Sequence, residues 1–162
     1  KLPYFGICLG MQISVIAFAR SVAGLQDANS GEFDDKSTHK VIDFLPDQSD
    51  SVAKGGTLRL GAYPCRIKPG TQMFAAYGTS HIYERHRHRY EFNNDFRQSL
   101  QDAGLIVSGT SPDDYIVEAV ELPGSPFYVG VQFHPEFKSR PNKPHPLFVS
   151  FVGASLGLSE NS

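Results

Sequence analysis

Cys8 stands between glycines in "Gly6-Ile7-Cys8-Leu9-Gly10", where an apolar run gives way to a helix-like pattern. A nucleophile perched on a sharp strand-to-helix turn needs small residues two positions to either side, because the turn brings those backbones into near contact. Hydrolases with the G-x-S-x-G pattern are built this way, and here sulfur takes the place of oxygen. A helix N-terminus favours the thiolate through the macrodipole and its unpaired N–H groups. The same N–H groups can receive an oxyanion. A free cysteine is equally at home as a small core hydrophobe, and the pentapeptide alone does not separate the two readings. A partner base does.

Of the six histidines, His134 is the one placed for that work. "Gly130-Val131-Gln132-Phe133-His134-Pro135-Glu136" ends an apolar strand on a histidine with a carboxylate two residues on. In extended backbone the two side chains project to the same side, and the intervening proline is expected to hold that backbone extended. Glu136 can then accept the proton-bearing ring nitrogen, set the tautomer and leave the other nitrogen facing a thiol. Cys65, with neither glycines nor a basic partner nearby, reads as structural.

Positioning these groups requires a strand over Pro3–Ile7, a turn at Cys8 and a helix over Leu9–Arg20. The helix's expected apolar face is Leu9, Ile13, Ile16 and Ala17. Residues Gly24–Lys40 and Asp47–Gly56 read as loops. Strands are expected at Val41–Phe44 and at Thr57–Ile67, the latter broken by Gly61 and Pro64. Asn93 and Asn94 cap a helix over Asp95–Ala103 that Gly104 closes. Strands follow at Leu105–Gly109, Ile116–Leu122 and Tyr128–Phe133, with "PGSP" turning between the last two, and a final helix spans Pro146 to about Leu156. The pattern is α/β, with some antiparallel pairing in the second half.

With 162 residues, 40% hydrophobic and 20% charged, the chain suits one globular domain. A net charge of −2 provides no global field toward nucleic acid or an acidic membrane. Two cysteines allow at most one disulfide, which points to a reducing cytoplasm. Apolar stretches are too short to span a membrane, and the start lacks a signal-peptide layout.

"PYFGICLGMQ", followed far downstream by "VQFHPEF", resembles the Cys-His-Glu signature of class I glutamine amidotransferases. "NSGEF", "GGTLRLG", "ERHRHRYEFNN" and "HPEFKSRPNKPHPLF" are similar to the amidotransferase domains of CTP synthases rather than those of GMP or anthranilate synthases. The resemblance implies a flavodoxin-like, three-layer α/β domain and glutamine hydrolysis supplying ammonia. Carried over residue by residue, it implies Cys8 as nucleophile, His134 as general base and acid, and Glu136 as the orienting carboxylate. Leu9, Gly10, Met11 and Gln12 would border the glutamine, with the Leu9 N–H as half of an oxyanion hole. Glu32 would hold the substrate's α-amino group, and Arg89 would grip its α-carboxylate with a planar fork.

Only seven residues precede Cys8, whereas the family places further strands and a glycine-rich oxyanion segment ahead of it. The resemblance thus implies that residues 1–162 are the C-terminal portion of an amidotransferase domain. Such a piece would expose apolar sheet surface at that edge and hydrolyse glutamine poorly. It also implies a synthetase domain elsewhere in the same chain, using Mg and ATP to aminate UTP to CTP, with GTP as effector and a homo-oligomeric whole. No cofactor is expected within these residues.

Several rivals stand beside this reading. They are an amidotransferase for another acceptor, a regulatory module that has lost turnover, and an RNA-binding surface on "RHRHRY" with Tyr83 and Tyr90 as stackers. The acidic flanks weigh against RNA. Unaided by the resemblance, Glu32 is an ordinary loop acid, and Arg89 lies in a charge run of the kind that forms a solvated face. His81, His86 and His88 invite a metal, but the interleaved arginines are expected to repel a divalent cation.

Overall fold

A computed structural model describes residues 1–44 and 58–158. The expected loop over Asp47–Gly56 and the expected strand start at Thr57 lie outside these residues. The chain enters on strand β1 (Tyr4–Ile7), turns at Cys8 and runs into helix α1 (Leu9–Ser21). Both elements fall within a residue or two of expectation, but the helix's buried face does not. Met11, Val15, Ile16, Phe18 and Ala19 are buried, whereas Leu9, Ile13 and Ala17 face outward. The helix is apolar around most of its circumference, so periodicity could not choose the stripe.

Past β2 (Asn29–Ser30) and β3 (Lys40–Asp43), strand β4 covers Arg59–Ile67 without a break. Gly61 takes φ +108° within it, and Pro64 sits opposite Tyr83 of β5 (His81–His88). On its other side β4 pairs only at Arg66 and Ile67, so the N–H that Pro64 lacks costs no ladder bond there. Helix α2 (Gln72–Tyr77), capped by the Thr71 hydroxyl, and β5 itself had no sequence expectation, and β2 lies inside the expected Gly24–Lys40 loop, where two residues leave no periodicity to read. Strand β6 (Glu91–Phe92) leads to Asn93, whose side chain accepts the Asp95 N–H. A 3₁₀ turn over Asn94–Phe96 then passes into α3 (Arg97–Asp102), so the expected helix opens as 3₁₀ before turning α-helical.

Strands β7 (Ile106–Thr110), β8 (Val117–Glu121) and β9 (Tyr128–Val131) and helix α4 (Pro146–Ser155) complete the described fold. Six strands form one sheet in the order β1-β9-β8-β7-β4-β5; β1 and β9 are parallel and the other pairs antiparallel. A small sheet, β2-β3-β6, lies beside α1. Two cores sandwich the large sheet. One gathers Met11, Val15, Ile42, Phe92, Leu100 and Val120; the other gathers Ile67, Met73, Val129, Val131, Phe133 and Leu147. The result is the expected three-layer α/β arrangement. The large sheet's one parallel pair among the described residues, β1 with β9, sets Cys8 and the segment after Val131 side by side.

Candidate active site

The last residue of β1, Ile7, pairs with Val131, and the Cys8 N–H donates to the Val131 carbonyl at 2.7 Å. Cys8 itself takes φ 51° and ψ −103°, a conformation costly for any side chain but glycine. Of its flanking glycines only Gly6 is obligatory. A Cβ there would lie 2.7 Å from the Gly10 carbonyl carbon, whereas one on Gly10 would meet only the Tyr4 hydroxyl at 3.7 Å. That hydroxyl donates to the Gly10 carbonyl at 2.7 Å and staples the strand to the helix.

His134 follows three residues after β9, its N–H bonded to the Arg85 carbonyl at 2.8 Å. Its Nδ1 meets Glu136 Oε1 at 2.6 Å, and its ring stacks on Phe137 with centroids 5.1 Å apart. The backbone between the two partners is not extended as expected. Pro135 opens a 3₁₀ turn, Pro135–Phe137, because proline's fixed φ suits a first helical position. The carboxylate therefore reaches the ring by the chain folding back. The other ring nitrogen, Nε2, is buried and has no hydrogen-bond partner among the described residues.

Burial pushes the Cys8 thiol above its ordinary value. Hydrogen bonds from the Leu9 N–H and from Gln132 act in the opposite direction, and the negative charges of Glu136 and Glu91 add to the rise. The helix N-terminus favours the thiolate through the Leu9 N–H, as expected, but desolvation outweighs it.

Around this pair the structure gathers most of the remaining candidates. Gln12, 3% exposed, donates through Nε2 to the Tyr90 carbonyl and to Gln132 Oε1, both at 3.1 Å. Gln132 Nε2 in turn lies 3.6 Å from Cys8 Sγ. Arg89 is exposed just before Tyr90, and Glu32 is exposed in the turn after β2. Both charges bear on the Tyr90 hydroxyl with opposite sign, so they share its neighbourhood. Leu9 is half exposed and Gly10 partly buried. Met11 is fully buried, packed where a Gly130 Cβ would be, and offers a ligand no exposed surface, contrary to its expected place beside the glutamine. Gln132 escaped the sequence reading. Period-two alternation along β9 could have found it, because Val129 and Val131 join the core away from α1 and Gln132 alternates with them.

The charge run after His81 is solvated on one face only. Arg85 and Arg87 are exposed with His81, while Glu84, His86 and His88 are buried. The arginines therefore do not interleave with the buried histidines in space, and the repulsion argued from sequence does not operate. Among the described residues no group of three His, Cys, Asp or Glu is placed to hold a metal. Instead the face carries a buried charge cluster behind the site. Arg59 pairs with Glu118 at 2.5 Å and lies 3.8 Å from Glu91, and His86 Nδ1 meets His88 Nε2 at 2.8 Å. Burial raises Glu91 to about 8, and burial together with Arg59 lowers His86 to about 2 and His88 to about 3.

Comparison with known proteins joins this geometry to a family. The model of the glutamine amidotransferase class-I family matches residues 1–154. The chain is 62% identical over 156 residues to the CTP synthase of Carboxydothermus hydrogenoformans and 61% identical over 160 residues to that of Rubrobacter xylanophilus. These matches cover 96% and 99% of this chain and 29% of each relative, so the chain spans under a third of their length. Among solved structures it is similar to the Trypanosoma brucei CTPS glutaminase domain with bound acivicin, at TM-score 0.92 and 39% identity. That match covers 98% of this chain and 62% of that one. The chain belongs to the class-I glutamine amidotransferase family, and within it corresponds to the glutamine amidotransferase domain of CTP synthases.

Proposed function

We propose that Cys8, His134 and Glu136 hydrolyse the side-chain amide of L-glutamine. The observation that carries this reading is the His134–Glu136 pair at 2.6 Å, with the opposite ring nitrogen buried and unpartnered, beside a strained cysteine elbow. Glu136 fixes the proton on Nδ1 and leaves Nε2 as the base. Because burial keeps the resting thiol protonated, the proton moves to Nε2 as Sγ attacks the carboxamide carbon. The Leu9 N–H receives the developing oxyanion. As the tetrahedral species collapses, His134 returns the proton to the leaving nitrogen, ammonia departs and a thioester remains. Water, deprotonated by His134, then attacks the thioester carbon; glutamate leaves and the thiol is restored. Glu32 and Arg89, flanking Tyr90, hold the α-amino and α-carboxylate groups, so that simple amides are poor substrates.

The ammonia serves ATP-dependent, Mg-assisted amination of UTP to CTP by a synthetase domain of the same protein. This step is supported by the high identity to CTP synthases along nearly the whole of this chain. On this reading the protein is a cytoplasmic homo-oligomer whose glutaminase step responds to GTP. Among the described residues no helix is long and apolar enough to cross a membrane. The test is release of glutamate and ammonia from glutamine by the intact protein and by Cys8→Ser. Equal rates in the two would refute the reading, and loss of at least about a thousandfold supports it.

A further inference from the structure

The two glutamines behind Cys8 form a chain whose direction is fixed from one end. An amide side chain presents an oxygen and a nitrogen of nearly the same shape, and which end faces which partner is decided by a partner that cannot exchange roles. Here that partner is the Tyr90 carbonyl, which can only accept. It fixes Gln12 with Nε2 toward it, at 3.1 Å. The second hydrogen of the same nitrogen goes to Gln132 Oε1, also at 3.1 Å. Gln132 must then turn its own Nε2 toward Cys8 Sγ, 3.6 Å away. Gln132 is fully buried and Gln12 nearly so. Solvent therefore offers neither amide an alternative partner, and a reversed Gln132 would set its oxygen against that of a thiolate's lone pairs and its N–H against the Gln12 N–H.

We propose that Gln132 is a positioning residue: locked by Gln12 and the Tyr90 carbonyl, it holds an N–H donor against the Cys8 sulfur and stabilises the thiolate over the thiol. The proposal deepens the functional reading above and rests on Cys8 being the nucleophile. An N–H group bonds a thiolate far more strongly than a neutral thiol, so the contact strengthens as the proton leaves. It acts with the Leu9 N–H against the influences that favour the thiol, which are burial, Glu136 on the 3₁₀ turn and Glu91 on β6. His134 is the remaining titratable member of the Cys8–His134–Glu136 set, and among the described residues its Nε2 makes no hydrogen bond that would compete with Gln132. His88 Nδ1, 3.3 Å from the Tyr90 carbonyl, occupies that oxygen's second lone pair and leaves the lock intact.

The test is the pH profile of Cys8 alkylation by iodoacetamide in the intact protein without glutamine, read by mass spectrometry of the Cys8 peptide. Gln132→Met keeps length and removes the donor. Its inflection should rise by about one pH unit, a tenfold loss of alkylation rate at fixed pH below the inflection. Gln12→Met releases the lock and should raise it by less. The double variant should match Gln132→Met alone, because Gln12 acts only through Gln132. An unmoved inflection in folded Gln132→Met, or shifts that simply add, would overturn the proposal.

A second measurement needs no variant. The Gln132 side-chain amide resonance should titrate with the Cys8 inflection, and an amide indifferent to that ionisation would also overturn the proposal. Failure here is separate from failure of the functional reading, which is judged by glutamine turnover in Cys8→Ser.

Discussion

Replacing Gly6 by alanine tests the elbow at its tightest point. The added Cβ would fall 2.7 Å from the Gly10 carbonyl carbon, 2.9 Å from its oxygen and 2.8 Å from Tyr4 Cε1, all well inside the 3.4 Å at which ordinary contact begins. The Tyr4 ring can swing, but Gly10 is backbone, pinned by the Tyr4 hydroxyl on one side and the start of α1 on the other. Relief must come from moving β1 against α1, which forced overpacking prices at about 1–3 kcal/mol. For a chain of this size that is a fall in Tm of roughly 2–12 °C. Gly10→Ala is the matched control. Its Cβ meets nothing nearer than 3.7 Å, and alanine is the better helix former by up to about 1 kcal/mol, so its Tm should hold or rise by roughly 2–4 °C. Calorimetry of the two variants decides the matter. If Gly6→Ala melts as high as Gly10→Ala, the close approach that explains the glycine at position 6 is wrong.

Cys8→Gly should remove the strain at φ 51° and raise stability by about 1 kcal/mol or more while abolishing turnover; chemical denaturation beside a glutaminase assay checks both. Glu91 is raised from 4.5 to about 8, so its contribution to stability is full below pH 4.5 and is lost as pH climbs toward and beyond 8. Glu91→Gln should therefore melt increasingly above the native protein across that window, and a constant gap would contradict it. His86 and His88 are lowered from 6.5 to about 2 and 3, so their contribution is full above pH 6.5 and is lost as pH falls through the acid range. His86→Asn should flatten that acid limb in a series of pH-dependent melts. Glu136→Gln should slow hydrolysis, but by less than the roughly ten-thousandfold typical of a buried orienting carboxylate, because the Glu136 side chain is 44% exposed and water can share its role. Steady-state rates measure this.

The parts of the site written in local spacing were legible in the sequence. Gly6 two residues before Cys8 announced the elbow, and His134 beside Glu136 announced a paired imidazole. The manner of their pairing was not legible, because Pro135 can either extend a chain or start a turn, and only the Phe137 N–H returning to the His134 carbonyl shows which. Strand β5 stayed hidden for a different reason. Its buried positions are Ile82, Glu84, His86 and His88, so a hydrophobic alternation was never there to read. Those polar groups are buried because distant partners receive them. Glu84 is bonded by Tyr77, Lys138 and His145, and the histidines lie beside Glu118 and Glu91. None of these partnerships has a spacing that a sequence displays. The nearness of Glu32 and Arg89 to Tyr90 likewise depends on the small sheet β2-β3-β6, whose β2 and β6 are two-residue strands too short to signal themselves.

On the proposed reading Cys8 is the sulfur that attacks glutamine, with His134 as its base. Incubating the intact protein with the glutamine-analogue electrophile acivicin and sequencing the modified peptide tests it most directly. The expected result is a single adduct on Cys8, suppressed by excess glutamine and strongly slowed in His134→Ala, with buried Cys65 untouched. An adduct elsewhere, or labelling of Cys8 that neither glutamine nor loss of His134 affects, would contradict it.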